Sequence, residues 1–171
     1  MKTPPVGLVH EATIHIDETL IVPRLPAALA AMADMPPVFA TAYMAAFVEA
    51  TCIELLKPYL DEDEGTVGTR INMSHSAATP IGMAVTARVE LLATEGRMLL
   101  FRVMCNDERD MIGEGLHERF VIARGAFTAR TEAKLSIQNV QQTLSLRSIT
   151  IAGRLSSWSS PANLWKKPRP N

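Results

Sequence analysis

Residues 38–56, Val-Phe-Ala-Thr-Ala-Tyr-Met-Ala-Ala-Phe-Val-Glu-Ala-Thr-Cys-Ile-Glu-Leu-Leu, form an apolar run broken by only two charges, Glu49 and Glu54. At about 100° per residue the run is apolar nearly all round, and a helix of that kind must be wrapped by other elements. Its length would suit a membrane span, but the two carboxylates argue against one. Projection places Glu49 on a stripe with Ala45, Cys52, Ile53 and Leu56. Glu54 lies roughly 140° away and takes the water-facing side. A carboxylate among apolar neighbours loses several kcal/mol of hydration unless something pairs with it. Folds keep such a group chiefly for a partner or for chemistry. Glu49 is therefore the first candidate for a catalytic residue.

The segments around this helix are strand-like. His10 to Val22 alternates loosely and is rich in Thr, Ile and Val, which predicts a strand. Pro23 to Pro37 is a Pro/Ala/Met-rich connector, and the helix is expected from about Thr41 to Lys57, stopped by Pro58. Asp61 to Gly65 is expected to be a charged turn. Four more strands are predicted at Thr66–His75, Met83–Ala93, Arg97–Asn106 and Met111–Ala123, with a hairpin turn at Glu95-Gly96. One strand, a long apolar helix and a four-strand meander make an α+β domain. The expected form is a hot-dog fold, with one long central helix wrapped by a curved antiparallel sheet of about five strands. An exposed edge strand and a partly exposed helix predict pairing into a homodimer.

The domain is expected over residues 1–127, followed by a basic, disordered extension over 128–171 that is rich in Ser, Thr, Gln and Pro. From Ala129 onward there are seven basic residues and one acidic, a net +6, so the preceding 128 residues carry −7 within the total of −1. That balance argues against nucleic-acid binding by the core and leaves the partner of the tail, if any, unspecified. Cys52 and Cys105 fall in apolar segments without metal-type spacing and read as reduced, buried thiols. Those thiols, and an N-terminus lacking a signal-peptide apolar core, suit a cytoplasmic protein.

His75 is the histidine to watch, because it ends a predicted strand just before a Thr79–Gly82 turn. A hydrogen-bonded structural role is its plainer reading. Thr41 lies eight residues before Glu49, about 80° round the helix and roughly two turns nearer its start. It could cap the helix or orient a substrate or water there. No Ser-His-Asp order, phosphate-binding loop, dinucleotide fingerprint or zinc pattern is present.

Taken together, Phe39-Ala-Thr41-Ala-Tyr-Met-Ala-Ala-Phe-Val-Glu49-Ala, Val67-Gly-Thr69, His75-Ser-Ala-Ala-Thr-Pro80-Ile-Gly82 and Ile112-Gly-Glu-Gly115-Leu-His117-Glu-Arg119 resemble the fluoroacetyl-CoA thioesterase-like hot-dog family. The likeness covers about residues 10 to 123. It implies a homodimeric enzyme that hydrolyses acyl-CoA thioesters with no metal or organic cofactor. Its catalytic Thr, Glu and His fall on Thr41, Glu49 and His75, and its glycine beside the acyl group on Gly68. The strand period of two puts Gly113, Gly115, His117 and Arg119 on one face. The glycines there permit a close approach by a ligand or another backbone. Arg119 is a candidate for substrate binding through a CoA phosphate, with a structural ion pair as the alternative.

One stretch departs from the family. Fluoroacetyl-specific members close the acyl pocket with bulky aromatic residues before the helix, and this chain has Met32 and Met35 there. Methionine is softer and more adaptable. The resemblance thus implies a short or medium acyl-CoA as substrate without implying a fluoroacetyl group. Thioester hydrolysis needs an attacking oxygen, charge stabilisation and a departing thiolate. Glu49 suits the first as nucleophile or general base, with His75 and Thr41 assisting. The rival readings are an enoyl-CoA hydratase or dehydratase and a non-catalytic acyl-CoA binder.

Overall fold

The computed structural model describes residues 1–135. Its secondary structure runs β1 (Val9–His15), α1 (Thr41–Leu56), β2 (Glu64–Met73), β3 (Ala84–Glu95), β4 (Met98–Asp107) and β5 (Met111–Ala123). Short 3-10 turns occupy Val22–Arg24, Ala27–Met32 and Lys57–Tyr59. Residues 124–135 are helical. The expected extension from 128 thus begins as helix, and the disorder expected over 136–171 lies outside the described residues.

The five strands form one antiparallel sheet in the order β1-β3-β4-β5-β2. This is the predicted hot-dog arrangement, with β1 and β2 at the edges. Register shifts at Gly68/Arg70, Leu91/Ala93 and Cys105/Asn106 supply local kinks that let the sheet curve. The core-facing positions alternate along the strands: Val85, Ala87, Val89 and Leu91 on β3, and Leu99, Phe101, Val103 and Cys105 on β4, are all buried. Against them α1 lays Met44, Val48, Cys52, Leu55 and Leu56. Gly96 adopts φ 60° in the β3–β4 hairpin, a left-handed conformation that glycine takes without a Cβ penalty.

Two predicted boundaries shift for local reasons. The first strand stops at His15 rather than reaching Val22, because Asp17 Oδ1 accepts hydrogen bonds from the Thr19 amide (2.8 Å) and hydroxyl (2.6 Å). That local loop replaces the ladder partners a longer strand would need. At the other end, Glu64 and Gly65 are not turn residues but pair with Ala123 and Ile122, starting β2 earlier than expected.

The helix is not enclosed on all sides. Ala42, Ala46, Ala50 and Ile53 on one face remain exposed, and so do Gly68 to Asn72 on the edge strand β2. An apolar helix face beside an unpaired strand edge is the main opening in the wrapping.

Candidate active site

The start of α1 is fixed by backbone bonds rather than by a side-chain cap. Ala40 is the capping position, in extended conformation with no side-chain cap bond. The Phe39 amide donates to the Thr79 carbonyl (2.9 Å) and the Ala40 amide to the Leu20 carbonyl (3.0 Å). Thr41, one residue further on, is therefore free to use its hydroxyl elsewhere. Its Oγ1 lies 2.8 Å from His75 Nδ1, so the capping alternative for Thr41 does not hold.

His75 stands two residues past the end of β2, where the chain still follows β5. The Ser74 amide donates to the Glu114 carbonyl and the Ser76 amide to the Ile112 carbonyl, both at 2.8 Å. Gly113 and Gly115 make that path possible. A Cβ on Gly113 would sit 2.5 Å from the Ser74 carbonyl oxygen, and one on Gly115 2.1 Å from that of Asn72. The close approach that the glycine pair foretold is thus made by the backbone that carries His75. Burial lowers the imidazole pKa from 6.5, so the ring is neutral near pH 7. Its Nε2 is buried and without a hydrogen-bond partner among the described residues. The Phe39 ring meets the imidazole edge-on at 6.4 Å. A cavity of about 250 Å³ opens here, lined by Val22, Val38, Phe39, Thr41, His75 and Ser76 among others.

Glu49 belongs to a second cluster. It sits at the border between the packed and open faces of α1, with its side chain 41% exposed against 1% for Arg119. Arg119 Nη1 donates to Glu49 Oε2 at 3.0 Å. The rest of that guanidinium is held by β2: Nε donates to Thr66 Oγ1 and Nη2 to the Thr66 carbonyl, each at 3.0 Å. Arg119 Nη1 also lies 3.0 Å from His117 Nε2. Glu49 Oε1 faces Gly68, where an added Cβ would come within 3.0 Å of it. The carboxylate thus has one oxygen held by a buried cation and the other turned toward a strand with no side chain at that point.

The sequence-predicted residues therefore fall into two groups. Thr41 and His75 meet directly, as do Glu49, Gly68 and Arg119. The two groups stand apart, since eight residues of helix correspond to about 12 Å of rise. Met32 and Met35 lie on the connector with roughly 41% and 49% of their surface exposed. Sequence reasoning did not assign roles to Thr66 or His117. The period-two pattern places His117 on one strand face with Arg119, but the contact between them depends on how the side chains turn once β2 and β5 are paired.

Comparison with known proteins follows the same outline. The family model FlK, described as fluoroacetyl-CoA-specific thioesterase, matches residues 25–125. The chain belongs to that family. A fluoroacetyl-CoA thioesterase from Streptantibioticus cattleyicolor is 45% identical over 102 residues, covering 60% of this chain and 73% of that protein. A solved structure of the FlK thioesterase superposes with a TM-score of 0.76 at 38% identity, covering 78% of this chain and 98% of the other. An FlK variant in complex with fluoroacetate and CoA matches with a TM-score of 0.71 at 39% identity, over 72% and 99% of the two chains. A thioesterase superfamily member from Thermus thermophilus, 23% identical with a TM-score of 0.71 over 82% and 99%, shares the fold. Among the described residues of this FlK-family chain, no helix is long and apolar enough to cross a membrane.

Proposed function

We propose that the protein is an acyl-CoA thioesterase, hydrolysing a short or medium acyl-CoA to the free acid and CoA. The observation that carries this reading is the placement of Glu49. Its carboxylate, on an apolar helix and anchored through Oε2 by Arg119, turns Oε1 toward Gly68. Oε1 attacks the thioester carbonyl or takes a proton from the attacking water, and either role needs the charged form. His75 is neutral near pH 7 and can accept a proton or deliver one to the departing thiolate. Thr41, hydrogen-bonded to it, orients the acyl oxygen or the water near the positive end of α1. Met32 and Met35 flank the acyl pocket from the connector. Membership of the FlK family and the likeness to a fluoroacetyl-CoA thioesterase support hydrolysis as the chemistry.

The working unit is a homodimer with its sites between the subunits. Two features support this. The open face of α1, Ala42, Ala46, Ala50 and Ile53, adjoins the unpaired edge of β2, and both call for cover. The backbones of Thr41 and Glu49 also stand about 12 Å apart along the helix, with each side chain bonded within its own cluster. A two-fold axis that sets the helices antiparallel brings Glu49 of one subunit toward Thr41 and His75 of the other. Two free, buried cysteines suit a cytoplasmic setting. Residues 1–127 carry the reaction, and the basic extension beyond them is a separate element.

The test is free-thiol release from acetyl-, fluoroacetyl-, branched, aromatic and long-chain acyl-CoAs, with wild type and Glu49→Gln. Turnover on the shorter esters that drops roughly 100-fold or more in the variant is expected. The reading fails if Glu49→Gln hydrolyses every accepted ester as fast as wild type.

A further inference from the structure

We infer that His117 is a positioning residue: as a neutral imidazole protonated on Nδ1, it holds Arg119 so that the guanidinium charge stays committed to Glu49. The inference rests on the thioesterase reading and deepens it by one layer of residues. The tautomer follows from the partners. His117 Nδ1 lies 2.8 Å from the Arg70 carbonyl oxygen, which can only accept, so Nδ1 carries the hydrogen. Nε2 is then a lone pair, and it faces an Arg119 Nη1 hydrogen at 3.0 Å. A ring with Nε2–H, or a charged ring, would turn a hydrogen toward a guanidinium that has none to accept.

The choice of a neutral acceptor matters. Arg119 Nη1 has two hydrogens, and these go to Glu49 Oε2 and His117 Nε2. A carboxylate in place of His117 would share the cation and weaken its hold on Glu49. An apolar residue would leave one buried Arg119 N–H without a partner and loosen the end of the guanidinium that meets Glu49. Imidazole satisfies the N–H without adding a countercharge. Its Cε1 also stands 3.1 Å from the point where a Cβ on Gly68 would lie. The ring therefore walls the space beside Glu49 Oε1 as well.

The surroundings favour the neutral ring. His117 is 1% exposed and Arg119 likewise. Burial holds its pKa below the usual 6.5; the Arg70 carbonyl pulls it up, the Arg119 charge pushes it down by less, and Glu49 and Glu118 pull up more weakly still. From α1 it is faced by Glu49; the Cys52 thiol, beside the Arg119–Glu49 pair, is pushed up to about 12 by burial. From β4 its register neighbour is the apolar Phe101, and from β2 it is Ile71. The Arg70 side chain turns outward to pair with Glu118 at 3.6 Å. Glu49 is thus the acceptor that offsets the guanidinium charge, and protonating His117 would set two cations side by side.

Two measurements on the intact protein test this. Long-range 15N–1H spectra, with His117→Gln to assign the ring, are expected to show a neutral imidazole with Nδ1–H at pH 7. An Nε2–H tautomer or a charged ring at pH 7 would overturn the inference. Kinetics supply the second readout. His117→Leu is expected to lower kcat roughly 10- to 100-fold with KM little changed, as for a small misplacement of the reacting group. His117→Gln offers an amide N–H for the Arg70 carbonyl and an amide oxygen for Arg119, and is expected to restore most of the loss. Full kcat in a folded His117→Leu, or no rescue by Gln, refutes the role. If Glu49→Gln is inactive while His117→Leu is fully active, only this inference falls. If wild type turns over no acyl-CoA, the thioesterase reading falls, and the tautomer measurement still decides the placement of the ring.

Discussion

Gly115→Ala probes how the strand carrying His75 is placed. The methyl group it adds would lie 2.1 Å from the Asn72 carbonyl oxygen, 2.5 Å from Met73 Cα and 2.7 Å from Met73 Cβ. Even a favourable carbon-to-carbonyl contact needs about 3.3 Å, so β2 must retreat by roughly 1 Å. Two of the three obstructing atoms are backbone, and no rotamer change can absorb that. Met73 is the register partner of Gly115, and Ser74 to Ser76 follow directly, held to β5 by the 2.8 Å bonds at Glu114 and Ile112. A retreat there carries His75 away from Thr41 Oγ1, now 2.8 Å from its Nδ1. Overpacking of this kind costs about 1–3 kcal/mol, which lowers Tm by about 2–12 °C for a domain of this size. A displacement of about 1 Å at a reacting group costs roughly 100-fold in rate. The expected result is a folded variant whose kcat falls far more than its stability. Gly125→Ala, where an added Cβ meets nothing within 4 Å, is the control and should keep wild-type kcat with a Tm equal to or slightly above wild type. A Gly115→Ala protein with wild-type Tm and kcat would refute the argument that the glycine exists to admit the β2 backbone.

Two further outcomes follow from the same structure. His75 and His117 both have pKa values lowered from 6.5, chiefly by burial, so the unfolded chain binds more protons below that value. Their contribution to stability is complete above pH 6.5 and is lost as pH falls through it toward the folded values; Tm should drop between about pH 7 and pH 5, less steeply in His117→Gln, and a Tm that rises over this range contradicts the assignment. Ala46→Arg puts a cation on the open face of α1, and covering it in a dimer costs several kcal/mol without a partner; sedimentation should report a shift to monomer with turnover falling in step, and an active monomer would count against sites shared between subunits.

Much of the fold was legible because its signals are local. The apolar period of residues 41–56, the alternation in β3, β4 and β5 and the Glu95-Gly96 turn each declare an element without reference to the rest. The strand ending at His15 was less clear, since the stop is set by the Asp17 side chain bonding Thr19 rather than by any Pro or Gly. The site was legible as a set of residues, and less so as a geometry. Gly113 and Gly115 predicted a close approach but could not name the approaching backbone, which depends on the β2–β5 register. Arg119 had an ion pair and a phosphate contact as equal alternatives in the sequence. Deciding for Glu49 required knowing that β5 lies next to β2 and that α1 brings Glu49 within hydrogen-bond reach of Arg119.

The separation of the two clusters carries the strongest architectural consequence. A helix that bears Thr41 at its start and Glu49 two turns later presents both on one rigid element, with their backbones about 12 Å apart along its axis. Within one chain each cluster is bonded together: Thr41 to His75, and Glu49 to an Arg119 whose other donors are taken by Thr66 and His117. His75 Nε2 is buried without a partner among the described residues, while Glu49 Oε1 looks past Gly68 toward the exposed edge of β2. The small residues Ala42, Ala46 and Ala50 leave the helix face smooth enough for another helix to lie against it. The same opening in the wrapping leaves both an apolar helix face and the Glu49 carboxylate partly uncovered. In the proposed dimer a second subunit would cover that opening, and an acyl-CoA bound along the seam would meet the carboxylate of one chain and the imidazole of the other.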